Sequence, residues 1–155
     1  MNESTQVERA FSEFTSASGD RIRHALVAAF GPEVGTDAAA EAMAIAWEKW
    51  DRVSNSSNPA GYVFGIGRNV ARKKARAQRL FPAPEPNREP WIEPGLPAAI
   101  SSLSEKQRTA VLLTSGYGWT FREVADFMDV GISTVQAHVE RGMAKLRDSL
   151  GVDDA

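Results

Sequence analysis

The chain lacks cysteine altogether, and it contains only two histidines among its 155 residues. Without cysteine it can form neither disulfide bonds nor thiolate metal sites, and it has no thiol nucleophile. His24 and His138 lie far apart in the sequence, and no carboxylate pair, metal-ligand cluster or phosphate-binding glycine-rich loop accompanies them. We therefore predict that the protein is not an enzyme and has no catalytic residue, metal site or cofactor.

Long hydrophobic runs are also missing. No apolar stretch approaches the roughly 20 residues that a membrane-spanning helix needs. The N-terminal MNESTQVERAF does not show the basic-then-apolar order of a signal peptide. Together with the absence of cysteine, this pattern predicts a cytoplasmic protein that does not enter a membrane.

The alternating apolar and polar residues of β-strands are absent as well, whereas apolar residues recur at helical spacing in both halves of the chain. Between the halves, residues 81–95 (FPAPEPNREPWIEPG) contain five of the eight prolines, which favours an extended linker. The sequence predicts an all-α fold in which two small helical domains, 1–80 and 96–155, are joined by this Pro-rich linker.

The first half is predicted to contain three or four helices. Two lie near Val7–Thr15 and Asp20–Phe30, and Gly31-Pro32 ends the second. The third is predicted to start at a cap on Thr36 or Asp37 and to run through Arg52. A stripe along it is expected to be core: Met43, Ala46, Trp47, Trp50 and Val53. The opposite face is acidic, and it is either simply solvated or a docking surface for a basic partner.

Positive charge is concentrated in one segment. The chain has a net charge of -2 and a pI near 5.7, which do not suggest nucleic acid. Residues 61–80, however, contain six basic residues and no acidic one: Arg68, Arg72, Lys73, Lys74, Arg76 and Arg79. Asn58 as N-cap and Pro59 at the first position predict the start of this helix. Tyr62 and Phe64 precede the charges, so rings could stack on unpaired bases while cations bind phosphates. A solvated basic helix is the alternative.

The second half shows the spacing of helix capping boxes, a polar cap followed three residues later by Glu or Gln. The pairs are Ser104/Gln107, Thr120/Glu123 and Ser133/Gln136. Asp129-Val130-Gly131 predicts a tight turn before the last helix. Small and apolar residues lie where a helix-turn-helix needs them: Ala125, Met128, Val130 and Val135.

The last helix divides into two faces. Its buried stripe is predicted to be Val135, Val139, Met143, Leu146 and Leu150, which leaves Gln136, Ala137, His138, Arg141 and Lys145 on the other side. In a major groove, Gln136 can pair with adenine and Arg141 with guanine or phosphate, each worth about 1–3 kcal/mol of discrimination. A purely structural three-helix bundle is the alternative.

These segments carry a family resemblance. FREVADFMDVGISTVQAHVERGMAKLR resembles region four of the extracytoplasmic-function (ECF) sigma factors of the sigma-70 family. DAAAEAMAIAWEKWDRV followed by NPAGYVFGIGRNVARKKARAQR is similar to their region two. Members are dissociable subunits that bring bacterial core RNA polymerase to particular promoters and help to melt them. The resemblance implies a sigma factor with region two in residues 1–80 and region four in residues 96–155.

The resemblance also implies a role for individual residues. Core polymerase would bind Asp37, Glu41, Ile45 and Glu48. The minus-ten element and the opened strand would meet Ser54, Asn55, Ser56, Ser57, Asn58, Tyr62, Phe64, Arg68, Asn69, Arg72, Lys73 and Arg76. The minus-thirty-five element would be read by Thr134, Gln136, Ala137, His138, Arg141 and Lys145. The implied partners are core RNA polymerase, promoter DNA and, as a candidate, an anti-sigma factor, with this chain a monomer in the holoenzyme.

The chain departs from the family pattern at four positions. Ala40 stands where glutamine is usual, Gly131 and Ser133 replace a usual Pro and Gly, and His138 stands where Arg is common. Two other functions stay open on the sequence alone. LSEKQRTAVLL, TVQAHV and KLRDSLGV also resemble the helix-turn-helix of dimeric response regulators, and a sigma-like regulator could bind polymerase without initiating transcription.

Overall fold

A computed structural model describes residues 2–80 and 95–151 of the chain, with only the backbone described for residues 78–80. The regular structure of these residues is helical throughout, which confirms the all-α prediction. The chain divides into two compact units, Met1–Arg76 and Ala77–Ala155. The predicted linker 81–95 lies outside the described residues, except for Gly95.

Helix α1 is a single helix, Glu3–Phe30, so the prediction of two separate helices in this stretch is wrong. It begins at Asn2, whose side chain accepts a hydrogen bond of 2.8 Å from the Thr5 amide. A glycine inside a helix costs about 1 kcal/mol relative to alanine, yet α1 continues through Gly19. Gly31, with φ of 89°, ends the helix.

Helix α2, Pro32–Glu48, starts before the predicted caps, so Thr36 and Asp37 lie inside it. Pro32 takes the first helical position, where a missing amide proton costs nothing. Lys49 then separates α2 from the short helix α3, Trp50–Ser54. The predicted continuous helix through Arg52 is therefore broken in two.

Small residues, not tryptophans, form the buried face of α2. Ala38, Ala42 and Ala46 are fully buried. At Gly35 a Cβ atom would lie 2.6 Å from the Val27 backbone, so α1 and α2 approach very closely there. Trp47 keeps 43% of its surface exposed, which corrects its predicted place in the core.

The two tryptophans instead cover the N-terminal half of α1. The Trp47 ring centroid lies 5.1 Å from that of Phe11, and the Trp50 ring lies 5.2 Å from Phe11 and 5.3 Å from Phe14. Tilted and edge-on ring pairs of this kind are favourable. They attach the first turns of α1 to the end of α2 and to α3.

Helix α4, Pro59–Leu80, begins as predicted, because Asn58 Oδ1 accepts a hydrogen bond of 3.1 Å from the Gly61 amide. Val63 and Ala71 are fully buried on its inner face. A Cβ at Gly67 would lie 2.5 Å from Leu26 Cδ1 and 3.4 Å from the Ala42 Cβ. Helix α4 therefore packs on both α1 and α2 and turns its other face outward.

The second unit contains α5 (Leu96–Ser101), α6 (Glu105–Val111), a π-helical turn (Leu112–Gly116), α7 (Phe121–Met128) and α8 (Ile132–Leu150). Ser104/Gln107 and Thr120/Glu123 form the predicted capping boxes at the starts of α6 and α7. The third predicted box is wrong, since Gly131 precedes α8 and gives no side-chain cap. Asp129, with φ of 57°, makes the turn between α7 and α8.

The core of the second unit lies where α8 crosses α5 and α6. Ala99, Leu103, Val111 and Leu146 are buried together. Val135 is fully buried nearer the start of α8, whereas Val139, Met143 and Leu150 of the predicted stripe are half-buried. The buried side of α8 thus follows the sequence prediction, and its other side faces outward.

No helix in residues 2–80 and 95–151 has both the length and the apolar character that a membrane span needs. No three acidic or histidine side chains there are grouped closely enough to hold a metal ion.

Candidate nucleic-acid interface

The outer face of α4 presents amide and cationic side chains at helical spacing. Asn69, Lys73 and Arg76 are exposed, and Arg68 and Arg72 are half-buried beside them. Residues 69, 73 and 76 lie on one face because residues three and four apart are neighbours on a helix. This face offers several hydrogen-bond donors and no carboxylate of its own helix.

Phe64 requires a correction. Its side chain is only 3% exposed, so in this structure the ring belongs to the core and cannot stack on a base as predicted. The Arg68 guanidinium carbon lies 6.0 Å from the centroid of the same ring, within reach of a cation–π attraction. The Phe64 ring therefore lies beneath the Arg68 guanidinium. Tyr62, which is 38% exposed, is the α4 ring that a ligand could reach.

Arg68 itself is held in an unusual way. Its Nε atom is buried and has no hydrogen-bond partner within the protein. An unsatisfied buried donor is costly, and the cation–π contact offsets only part of that cost.

The loop between α3 and α4 is ordered by its own side chains. Asn55 Nδ2 donates to the Asp51 carbonyl at 2.7 Å, and Ser56 Oγ donates to the Val53 carbonyl at 2.7 Å. Ser54 Oγ makes a longer bond of 3.4 Å to the Asp51 carbonyl. Because the two serine hydroxyls and the Asn55 amide nitrogen donate to carbonyls at the end of α3, the side-chain oxygen atoms can act as acceptors. Ser54, Asn55 and Ser57 are exposed, whereas Ser56 and Asn58 are half-buried.

The predicted polymerase-binding residues lie along α2. Asp37, Glu41 and Glu48 are exposed and Ile45 is half-buried. Glu41 Oε2 lies 3.3 Å from Lys74 Nζ of α4, so the acidic face of α2 and the basic helix α4 meet at an ion pair. Since both side chains remain substantially exposed, such a pair contributes no more than about 1 kcal/mol.

Helix α8 presents the predicted reading residues on its outer side. Thr134, Gln136, Arg141 and Lys145 are exposed, and Ala137 and His138 are half-buried. Burial lowers the pKa of His138, and the positive charges of Lys106 and Arg141 lower it further. The imidazole is therefore more readily neutral than an ordinary histidine. The sequence did not single out Lys106, because only the packing of α6 on α8 places it beside His138.

Comparison with known proteins gives two findings. Residues 95–146 match the family described as sigma-70, region 4. Among solved structures, the chain is similar to the sigma factor RpoE in complex with the anti-sigma factor NepR from Bartonella quintana. The identity is 22% and the TM-score 0.62, over 94% of this chain and 99% of that one. It is also similar to CnrH in complex with the cytosolic domain of CnrY, with 22% identity and a TM-score of 0.59 over 95% and 91% of the two chains. Residues 95–146 thus match the sigma-70 region 4 family, and the chain has the fold of these two solved structures, which agrees with the resemblance seen in the sequence.

Proposed function

We propose that this protein binds bacterial core RNA polymerase and directs transcription initiation at particular promoters, as a monomer within the holoenzyme and in the cytoplasm. The observation that carries the proposal is the likeness to a sigma factor structure over 94% of the chain, together with the region 4 match. On this proposal residues 1–80 act as region two, residues 96–155 as region four and residues 81–95 as the linker.

In region two, α4 and the preceding loop act on the minus-ten element. The cations of α4, Lys73 and Arg76 foremost, bind phosphates of the opened strand, and Tyr62 stacks on an unpaired base. The acceptor oxygens of Ser54 and Asn55 are placed to bind the amino groups of a base that has left the stack. The support for this role is the ordering of the loop and the exposure of Tyr62.

In region four, α8 reads the minus-thirty-five element in the major groove. Gln136 and Arg141 are both exposed on α8, and they have the donors that adenine and guanine edges require. Thr134 and Lys145 lie toward the two ends of the face of α8 that also carries Arg141, and they bind the DNA backbone. Sequence-specific contacts are thereby assigned to α8 and largely sequence-independent contacts to α4.

Two protein partners are proposed. The acidic face of α2, Asp37 with Glu41, Ile45 and Glu48, docks on a basic surface of core polymerase. An anti-sigma factor is the second partner, because both similar structures are complexes, one of them with a named anti-sigma factor. Binding of such an inhibitor and binding of polymerase are expected to exclude each other if they share this face.

The test is co-purification with bacterial core RNA polymerase, followed by transcription from a pool of random promoters with and without the protein. New start sites that share two upstream elements are expected. Polymerase binding without new start sites would instead favour a sigma-like regulator. Failure to bind polymerase would favour a dimeric helix-turn-helix regulator.

A further inference from the structure

Helices α2 and α4 cross next to the proposed docking face. A Cβ atom at Gly67 of α4 would lie 3.4 Å from the Ala42 Cβ of α2, and Glu41 directly precedes Ala42. Ala71, one turn after Gly67, is fully buried. Lys74 follows Ala71 by three residues, so it lies on the same side of α4. The crossing therefore places Lys74 of the basic helix alongside Glu41.

Lys74 and Glu41 form an ion pair that can open without disturbing the core. Lys74 Nζ lies 3.3 Å from Glu41 Oε2, and the two side chains are 38% and 50% exposed. Water and salt weaken the attraction in an exposed pair. The crossing itself depends on the contact at Gly67 and on buried Ala71, and not on this pair. A stronger partner for either charge can therefore break the pair while the helices stay in place.

Lys74 differs from the neighbouring cations of α4 in the direction that it faces. Lys73 and Arg76 share the exposed side that the proposed function gives to DNA. Successive residues of an α-helix are rotated by about 100°, so Lys74 points away from that side and toward α2. Its charge compensates an acidic residue of the docking face. The sequence shows only a run of cations and does not separate Lys74 from Lys73.

Glu41 is a central residue of the docking face. Asp37 lies one turn before it on α2 and Glu48 two turns after it, and all three residues are exposed. A basic partner surface that covers this face brings a cation of its own to Glu41. Two cations at one carboxylate repel each other, which favours the exchange of one for the other.

We propose that Lys74 competes with core polymerase for Glu41, and that docking exchanges Lys74 for a cation of the polymerase. This inference rests on the proposed function and gives Lys74 a role that is separate from DNA binding. Because the pair within the chain must open first, the wild-type chain binds polymerase less tightly than a chain in which Glu41 has no competitor.

The experiment uses the full chain with a fluorescent label, titrated with bacterial core RNA polymerase at about 50 and 500 mM salt. The test variants are Lys74→Gln, Glu41→Gln and the double variant that combines them. Two controls are included. Lys74→Arg keeps the positive charge, and Lys106→Gln removes an exposed lysine from the second unit.

We expect Lys74→Gln to bind core polymerase more tightly than the wild type at the lower salt concentration. The gain should not exceed about fivefold, because the pair is exposed, and it should shrink at the higher salt concentration, where the pair is screened. Lys74→Arg and Lys106→Gln should match the wild type. In the Glu41→Gln background, Lys74→Gln should give no gain, because no carboxylate remains to compete for.

An equal gain from Lys74→Gln in both backgrounds would overturn the exchange, since it would show only a general repulsion between Lys74 and the polymerase. Unchanged or weaker binding by Lys74→Gln, in a chain with the far-ultraviolet circular dichroism of the wild type, would also overturn it. Both results leave the proposed function intact. Failure of the wild-type chain to bind core polymerase would overturn the proposed function and this inference together.

Discussion

Helices α4 and α8 are the two proposed DNA-binding helices, and they carry their charge in different ways. Helix α4 has a run of cations with no acid and holds Arg68 over the buried ring of Phe64. Helix α8 mixes Gln136 and Arg141 with the acids Glu140 and Asp148, and its charge near His138 is completed by Lys106 of α6. Dense charge suits a strand of any sequence, whereas a few spaced donors suit particular base edges.

The largest effect on stability is expected from removing the Phe64 ring of α4, with removal of the Tyr62 ring as the comparison. Phe64→Ala removes a ring that is 3% exposed, and it should lower the free energy of unfolding of the first unit by about 3–5 kcal/mol. Tyr62→Ala should change that free energy far less but should impair promoter opening, because its ring is the exposed one. Urea unfolding and permanganate reactivity of unpaired thymines measure the two effects. Equal destabilisation by both changes would contradict the distinction between the rings.

Gly35→Ala should disturb the packing of α2 on α1, against which α4 lies, and it should leave the second unit unaffected. Its Cβ would lie 2.6 Å from the Val27 backbone, and relief of such overpacking costs about 1–3 kcal/mol. Gly65→Ala is the control, because a Cβ there meets nothing within 4 Å. That control should gain about 0.5–1 kcal/mol, since alanine is favoured over glycine inside a helix. Thermal unfolding of both variants measures the difference, and a stable Gly35→Ala protein would refute the close approach.

The smallest effect on stability is expected at the ion pair between α2 and α4. Glu41→Gln and Lys74→Gln each break the 3.3 Å contact, and each should lower the free energy of unfolding by less than about 1 kcal/mol. Only Glu41→Gln should also weaken binding to core polymerase, because Glu41 belongs to the proposed docking face. Competition between wild-type and variant chains for a limited amount of core polymerase measures this. Equal core affinities for the two variants would remove Glu41 from the docking face.

Local signals in the sequence predicted the starts of α4, α6 and α7. Ser104, Thr120 and Asn58 each cap a helix through a bond to an amide three residues away, so a short window contains the whole interaction. At Ser133 no such bond forms, so the spacing there predicted a capping box that the structure does not contain. The outer side of α8 was also predictable, because its stripe has a strict helical period.

The remaining features depend on contacts between helices that are distant in sequence. Alanines at 38, 42 and 46 look weakly hydrophobic beside Trp47, yet close packing at Gly35 buries them and leaves the tryptophan at the edge. The burial of Phe64 depends in the same way on how α4 lies across its neighbours. The effect of Lys106 on His138 likewise depends on the packing of α6 on α8.

The most direct test of the two proposed roles is to sequence the promoters used from a random pool by holoenzymes containing three chains. These are the wild type, Gln136→Ala and the double variant Lys73→Gln with Arg76→Gln. We predict that Gln136→Ala relaxes one position of the upstream element, at a cost of about 1–3 kcal/mol in discrimination. The double variant should lower the yield from all promoters and leave the upstream element unchanged. A double variant that altered the upstream element, or a Gln136→Ala chain that left it intact, would contradict the account.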